Sequence, residues 1–309
     1  MIFEQADAKK FAIYHTIYTA ANIFQRFDWN ERVDDALGNV SAGAYFMYED
    51  EKIVGGFTMK ENCINYPFIV APFDNRRVFW KAVLDFTSEH NKNGVEENEN
   101  SSNFGENSES NSGIFLNEIP EADALVLTKN FGANLRWSKR KMLRPTEEFA
   151  PTEDDDFFYE AVEISDIDEI VSAIFEAHAS GHTASFWQPD VNIIKTSLKK
   201  RFDAFGQTSS LHMGSIVRAI RNNKIAGVCI AGIYPGEKFA TLHQVAVRPA
   251  FRRRGVATAM IQKAITSAAE VAPVMTVGVL VDNPSVGLYS RLGFKPGSIY
   301  SELLYYNAI

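Results

Sequence analysis

The stretch of this chain best equipped for chemistry is Val245-Ala246-Val247-Arg248-Pro249-Ala250-Phe251-Arg252-Arg253-Arg254-Gly255-Val256-Ala257-Thr258. A β-branched strand stops at a proline, a basic turn follows, and a glycine precedes an apolar helix. A helix start presents N–H groups without intrahelical partners and the positive end of its dipole, so it favours an anion. Gly255 lets a phosphate approach the backbone without meeting a Cβ, and Ala257 keeps that approach open. Arg252, Arg253 and Arg254 oppose the dipole when nothing is bound and complement an anion when one is. A basic first turn on a solvated helix is the alternative. His243 lies on the same strand; strict alternation puts it on the face of Val245 and Val247, where an imidazole can accept a proton directly or through water. Glu237, at the start of the strand, is a second candidate proton acceptor, and a path through water alone is a third.

Arg252-Arg253-Arg254-Gly255-Val256-Ala257 resembles the Q/R-x-x-G-x-G/A signature of the GNAT superfamily of N-acyltransferases. Asp282-Asn283-Pro284-Ser285-Val286-Gly287-Leu288-Tyr289-Ser290-Arg291-Leu292-Gly293-Phe294 is similar to a second motif of that family, N-x-x-A-x-x-L-Y-x-x-x-G-F, with Gly287 or Val286 where alanine is usual. The resemblance covers roughly the last half of the chain. It implies an acyltransferase using acetyl-CoA, with the backbone of Val245 to Val247 pairing with the pantetheine arm. It further implies that Arg252 to Thr258 cradle the pyrophosphate and that Asn283 contacts CoA or its bound water. Tyr289 matches the family tyrosine that protonates the leaving thiolate. Some members carry a glutamate base on the fifth strand; that position is Gly278 here. The expected reaction moves an acetyl or short acyl group to a small-molecule or peptide amine by direct attack in a ternary complex. A non-catalytic acyl-CoA-binding or sensing protein is the alternative.

Those residues need a scaffold. Between Phe158 and Tyr306 the pattern reads β-α-α-β-β-β-α-β-α-β. One helix carries Ile167, Ile170, Val171, Ile174 and Phe175 on one face, and another, from about Arg253 to Ala269, buries Val256, Met260, Ala264 and Ile265. The fold class expected is α+β or α/β: tandem GNAT-like folds, each a mixed, mostly antiparallel sheet flanked by helices. His178 and His182 are spaced i,i+4, but Gly181 lies between them and no third ligand is evident, so no metal is expected.

The first half echoes the second. Lys52-Ile53-Val54-Gly55-Gly56 parallels Lys224-Ile225-Ala226-Gly227-Val228, and Val70-Ala71-Pro72 parallels Val247-Arg248-Pro249. Aligning the prolines sets Val78 against Gly255 and Trp80 against Ala257, where their side chains would fill the phosphate space; Arg136 falls near the place of Tyr289. Residues 1–150 are therefore expected to be a degenerate copy without CoA, residues 151–156 an acidic, proline-bearing linker, and residues 157–309 the acyl-CoA-binding domain. Residues 91–113 are rich in Asn, Glu, Ser and Gly without apolar periodicity and read as a flexible loop.

Composition narrows the partners. The 309 residues carry a formal charge of −8, which argues against nucleic acid as a partner. No apolar run reaches the length of a membrane span. Two cysteines, Cys63 and Cys229, sit in apolar runs and read as thiols of a reducing compartment, here cytoplasmic. The sequence leaves the amine acceptor and the oligomeric state open, a homodimer being one expectation.

Overall fold

The computed structural model describes residues 2–19, 43–94, 113–150, 155–161, 164–185, 190–206, 215–219, 222–234 and 238–306. The chain divides into two compact units, Met1–Arg140 with Gly297–Ile309, and Lys141–Pro296. The first contains β1 (Ile2–Gln5), α1 (Ala8–Thr19), β2 (Ala44–Glu49), β3 (Lys52–Lys60), β4 (Cys63–Ile69), α2 (Arg76–Gly94), β5 (Ile114–Pro120), α3 (Glu121–Phe131) and the beginning of β6 (Asn134–Pro145). The second contains β7 (Phe157–Ala161), α4 (Ile167–Ala179), α5 (Val191–Gly206), β8 (Ser215–Ala219), β9 (Ile225–Gly232), β10 (Ala240–Val247), α6 (Val256–Ala269), β11 (Val274–Leu280) and α7 (Ser285–Arg291). The last strand, β12 (Lys295–Tyr305), lies almost wholly in the first unit, where it pairs antiparallel with β5, Tyr305 opposite Ile114.

Each unit is a mixed sheet flanked by helices. In the first the strand order is β1-β2-β3-β4-β5-β12-β6, with a parallel step only between β4 and β5 among the registered pairs. In the second it is β6-β11-β10-β9-β8-β7, with the parallel step between β10 and β11. Element order from β7 onward is the one expected from the sequence. The sequence reading ended one segment at 150 and began the next at 157, whereas the compact units divide at Arg140/Lys141 and Pro296/Gly297. Those divisions fall inside β6 and β12, where strand composition does not change. Of the polar stretch 91–113, residues 91–94 complete α2 and residues 95–112 lie outside the described residues, as do 151–154 of the linker.

Packing in the second unit follows periodicity. Every residue of β9 is buried, because helices cover both faces of this central strand. On one face Ile167, Ile170, Val171 and Ile174 of α4, spaced at helical intervals, pack with Leu198 and Phe202 of α5 against Val228 and Ile230. Phe175, expected on that stripe, lies at its edge and is 36% exposed. On the other face Val256, Met260, Ala264 and Ile265 of α6 pack against Cys229, Leu242 and Val277. The helix starts at Val256 rather than Arg253, because Gly255 is its N-cap in the left-handed conformation.

Candidate functional site

Strands β10 and β11 pair only at Ala240, Thr241 and Leu242, opposite Met275, Thr276 and Val277. Beyond Leu242 the two strands have no paired residues, so a gap opens along the second half of β10. Which backbone groups face it follows from the other edge. Arg248 N donates to Ala226 O at 2.9 Å. Antiparallel pairs alternate, so Ala246, opposite Val228, also bonds across to β9, while Val247 and Val245, opposite Gly227 and Cys229, turn their N–H and C=O groups toward the gap. Ala246 is thereby removed from the expected set: its backbone faces β9 and its side chain is buried under α4. The Val247 carbonyl accepts from Arg252 Nε at 3.1 Å, leaving Val245 and the Val247 N–H toward the gap.

The gap leads to the start of α6. Gly255 caps this helix at φ +82°, with no side-chain cap, and the first intrahelical bond is Ala259 N to Gly255 O at 3.1 Å. A Cβ at Gly255 would meet nothing within 4 Å, so the space above the glycine is free. Arg253 precedes it at φ +61°, a conformation that costs a non-glycine residue about 1–3 kcal/mol and clusters at ligand clamps. Val256 is buried, and Ala257 and Thr258 are half-buried. The three arginines divide. Arg253 is exposed to solvent. Arg254 pairs with Asp156 and lies over the Phe157 ring, 4.7 Å from its centroid. Arg252 turns away from the helix start: its Nη2 donates to Ala177 O at 2.8 Å and its Nη1 to Ser180 O at 3.2 Å. These are carbonyls at the C-terminus of α4, where a cation is favoured.

Tyr289 on α7 is buried in the α6-side core, edge-on to Phe294 at 5.6 Å. Burial, and secondarily Cys229, raise its pKa well above the usual phenol value. Tyr289 shares this core with Cys229 and with Val245, the residue opposite Cys229, and the phenol is protonated at neutral pH. Asn283 Oδ1 accepts from Ser285 N at 2.9 Å and Ser285 Oγ at 2.7 Å, which fixes the turn into α7.

His243 does not share a face with Val245 and Val247. The β9–β10 register shifts between Leu242 and Gln244, leaving His243 as the extra residue of a β-bulge. The bulge reverses the alternation: Leu242 and Val245 face α6, whereas the His243 ring sits 5.3 Å from Phe205 and 5.0 Å from Tyr234, on the α4–α5 side. Burial, then the nearby Arg201 cation, lower its pKa to about 3, and its Nε2 has no hydrogen-bond partner among the described residues. The imidazole is neutral and a poor proton acceptor. Glu237 lies outside the described residues. His178 Nε2 is 2.9 Å from Gln244 Nε2. Sequence reasoning missed Arg248, which is 2% exposed and donates to Ile225 O at 2.8 Å while pairing with Glu176. An arginine between a buried strand and a proline was the available signal.

The first unit repeats this layout with different residues. Val70 N donates to Val54 O at 2.9 Å and Ile69 is opposite Gly55, just as Arg248 bonds Ala226 and Val247 is opposite Gly227. The strands correspond through Val70 and Arg248, one residue away from the proline alignment. Strands β4 and β5 pair only at Cys63–Phe115 and Ile64–Leu116 before separating. Pro67 then stands where Val245 does and offers no N–H to that gap. Phe79 N bonds Asn75 O at 3.0 Å as Ala259 N bonds Gly255 O, so Asn75, not Val78, occupies the glycine position. Its Oδ1 accepts from Val78 N at 3.1 Å and caps the helix from within. Trp80 is fully buried, donating to Asp123 at 3.0 Å, and Val78 is 38% exposed; neither fills the space above the cap. Helix α3 ends at the left-handed Gly132 as α7 ends before the left-handed Gly293, which sets Thr128, not Arg136, at the place of Tyr289. Thr128 Oγ1 donates to Ala124 O.

A mixed sheet split after its fourth strand, with the split running to a helix start, is common to both units and is the GNAT acetyltransferase fold in tandem. Residues 173–294 match the model of the acetyltransferase (GNAT) family. Over 99% of its length the chain is similar in structure to a GCN5-related N-acetyltransferase from Sphaerobacter thermophilus, at 14% identity, TM-score 0.68 and 95% of that chain covered. It is similar to a tandem GNAT protein from the clavulanic acid biosynthesis pathway at 10% identity and TM-score 0.58, covering 99% of this chain and 98% of that one. It also resembles a GNAT-family acetyltransferase from Colwellia psychrerythraea at 11% identity and TM-score 0.53, covering 99% and 100%. No curated protein sequence matches. Among the described residues no helix is long and apolar enough to cross a membrane.

Proposed function

We propose that the second unit is an N-acyltransferase moving an acetyl or short acyl group from CoA to a primary amine. The observation that carries this reading is the β10–β11 gap continuing into the uncapped start of α6 under Gly255. A pantetheine arm fits as a pseudo-strand on Val245 and Val247, and a pyrophosphate fits the free N–H groups and open space at Gly255. The thioester then lies toward the bulge at His243, within reach of Tyr289. The amine attacks the carbonyl carbon, the C–S bond breaks, the amine proton leaves through water, and Tyr289 protonates the departing thiolate. The raised pKa of Tyr289 keeps that proton in place until sulfur charge develops. His243 is given no proton-transfer role, because the bulge turns it away and burial holds it neutral.

The acceptor is a small-molecule or peptide amine, and we place the protein in the cytoplasm, where Cys63 and Cys229 stay as free thiols. Neither nucleic acid nor membrane is part of this reading. Amine-dependent release of CoA thiol across a panel of amines tests it. A second reading, an acyl-CoA sensor without turnover, is favoured by Gly278 in place of a carboxylate base and by the half-buried, neutral His243. CoA-induced thermal stabilisation without release of thiol under any amine would select it.

A further inference from the structure

Arg252 opens the phosphate turn, yet its guanidinium does not point at the helix start. It joins three pieces of backbone: Val247 O at the end of β10, and Ala177 O and Ser180 O at the end of α4, with a fourth contact to Ser180 Oγ at 3.2 Å. The last carbonyls of a helix lack intrahelical partners, and here each available donor serves them: Ser180 Oγ donates to Glu176 O at 2.6 Å and Gly181 N to His178 O at 3.2 Å. The fit is tight, since a Cβ at Gly181 would lie 2.8 Å from the Ala177 carbonyl oxygen that Arg252 grips. Within the clamped turn, His178 touches Gln244 on β10, next to Val245 and the bulge. The end of α4 thus borders the place where an acceptor must meet the thioester, on the reading given above.

We propose that Arg252 is a positioning residue that couples the phosphate turn to the acceptor side of the site. Closing the turn on CoA fixes Arg252, and Arg252 fixes the end of α4 from Ala177 to Gly181. CoA binding therefore prepares the site for the amine, and the amine binds poorly until CoA is bound. The coupling needs no contact between Arg252 and either substrate through its side chain. It makes the first arginine of the turn a brace between two ligand subsites rather than a phosphate ligand.

Two variants break the brace from opposite ends. Arg252→Met removes the donor; Gly181→Ala pushes Ala177 O away without touching the phosphate turn. In both, CoA affinity by calorimetry should change by less than about threefold while KM for the amine rises about tenfold, within the usual range of coupling between sites. Hydrogen exchange on the full chain gives a readout independent of turnover. CoA should slow exchange in peptides covering residues 177–185 of the wild type and leave them unchanged in both variants, with Arg252→Lys recovering part of the protection. The inference is overturned if CoA leaves those peptides unaltered in the wild type, if both variants keep the full protection, or if Arg252→Met and Arg252→Lys lose CoA binding outright, which would make Arg252 a ligand-holding residue. A wild type that binds no CoA overturns the acyltransferase reading and leaves Arg252 as a structural cap alone.

Discussion

The two units share a backbone plan and differ at three positions that decide what the gap can hold. Each has a bulge in its fourth strand, a short parallel pairing with the fifth strand, and a helix launched from the end of the fourth. In the second unit the gap is edged by Val245 and runs to Gly255, and Tyr289 lies in the core that Val245 packs against. In the first the corresponding residues are Pro67, Asn75 and Thr128. Proline withholds the N–H that a pseudo-strand needs, asparagine satisfies the helix start that a phosphate needs, and threonine turns its hydroxyl back onto its own helix. The change at Asn75 favours the fold, because the side chain stabilises the helix it caps. We infer that the first unit kept the architecture and lost the CoA chemistry.

The comparison can be broken most forcefully at Gly255. Gly255→Val should abolish measurable CoA binding, because its methyls enter the open space above the cap. The left-handed backbone should cost the fold about 1–2 kcal/mol, a few degrees in melting temperature. Calorimetry and a thermal scan on the same variant separate the two effects; normal CoA binding would show that the phosphate lies elsewhere.

Next in size is Tyr289→Phe. Loss of the hydroxyl should lower kcat by about a hundredfold, the low end for a general acid, with CoA affinity nearly unchanged. The ring keeps its edge contact with Phe294, so stability should hold. Unchanged kcat under saturating amine, with chemistry limiting, would remove Tyr289 from the mechanism.

His243 offers a pH test. Its folded pKa, about 3, lies below the unfolded value near 6.5, so the unfolded chain binds the proton first as pH falls. Its contribution to stability is full above about pH 6.5 and is lost toward pH 3. His243→Gln should flatten the fall in melting temperature between pH 7 and pH 5 while leaving the acid limb of kcat/KM in place. An acid limb abolished by this variant would restore His243 as the base. The smallest effect is expected in the first unit: Asn75→Ala should lower stability by about 1 kcal/mol, seen in denaturant unfolding, without altering CoA binding.

Much of the second unit was legible because its chemistry is local. Three arginines, a glycine and an apolar helix are adjacent in sequence, and the helix and strand periods either side are clean. The bulge at His243 was not legible: Leu242-His243-Gln244-Val245 has no glycine or proline to mark it, and one extra residue reverses every later side chain. Nor was the roll of Arg252, since a cation near a helix N-terminus reads as a phosphate ligand until the carbonyls of a helix some seventy residues earlier are brought beside it. The Pro72 alignment misled in the first unit because the segment between strand and helix is shorter there. Register across the sheet, which one strand's sequence does not encode, corrected it. The return of β12 to the first unit was hidden for the same reason: a strand's apolar alternation does not name its neighbour.

Of the two similar gaps, we infer that only the second holds CoA. Titration calorimetry with CoA counts the occupied gaps, and it is done on the full chain because the first unit is not a contiguous segment. The expected stoichiometry is about one per chain, with all binding lost in Gly255→Val; since a ligand adds stability only to the state that binds it, the thermal shift should vanish with it. A stoichiometry near two, or residual binding of undiminished affinity in Gly255→Val, would mean that the first unit accepts CoA despite Pro67 and Asn75, and would contradict the account.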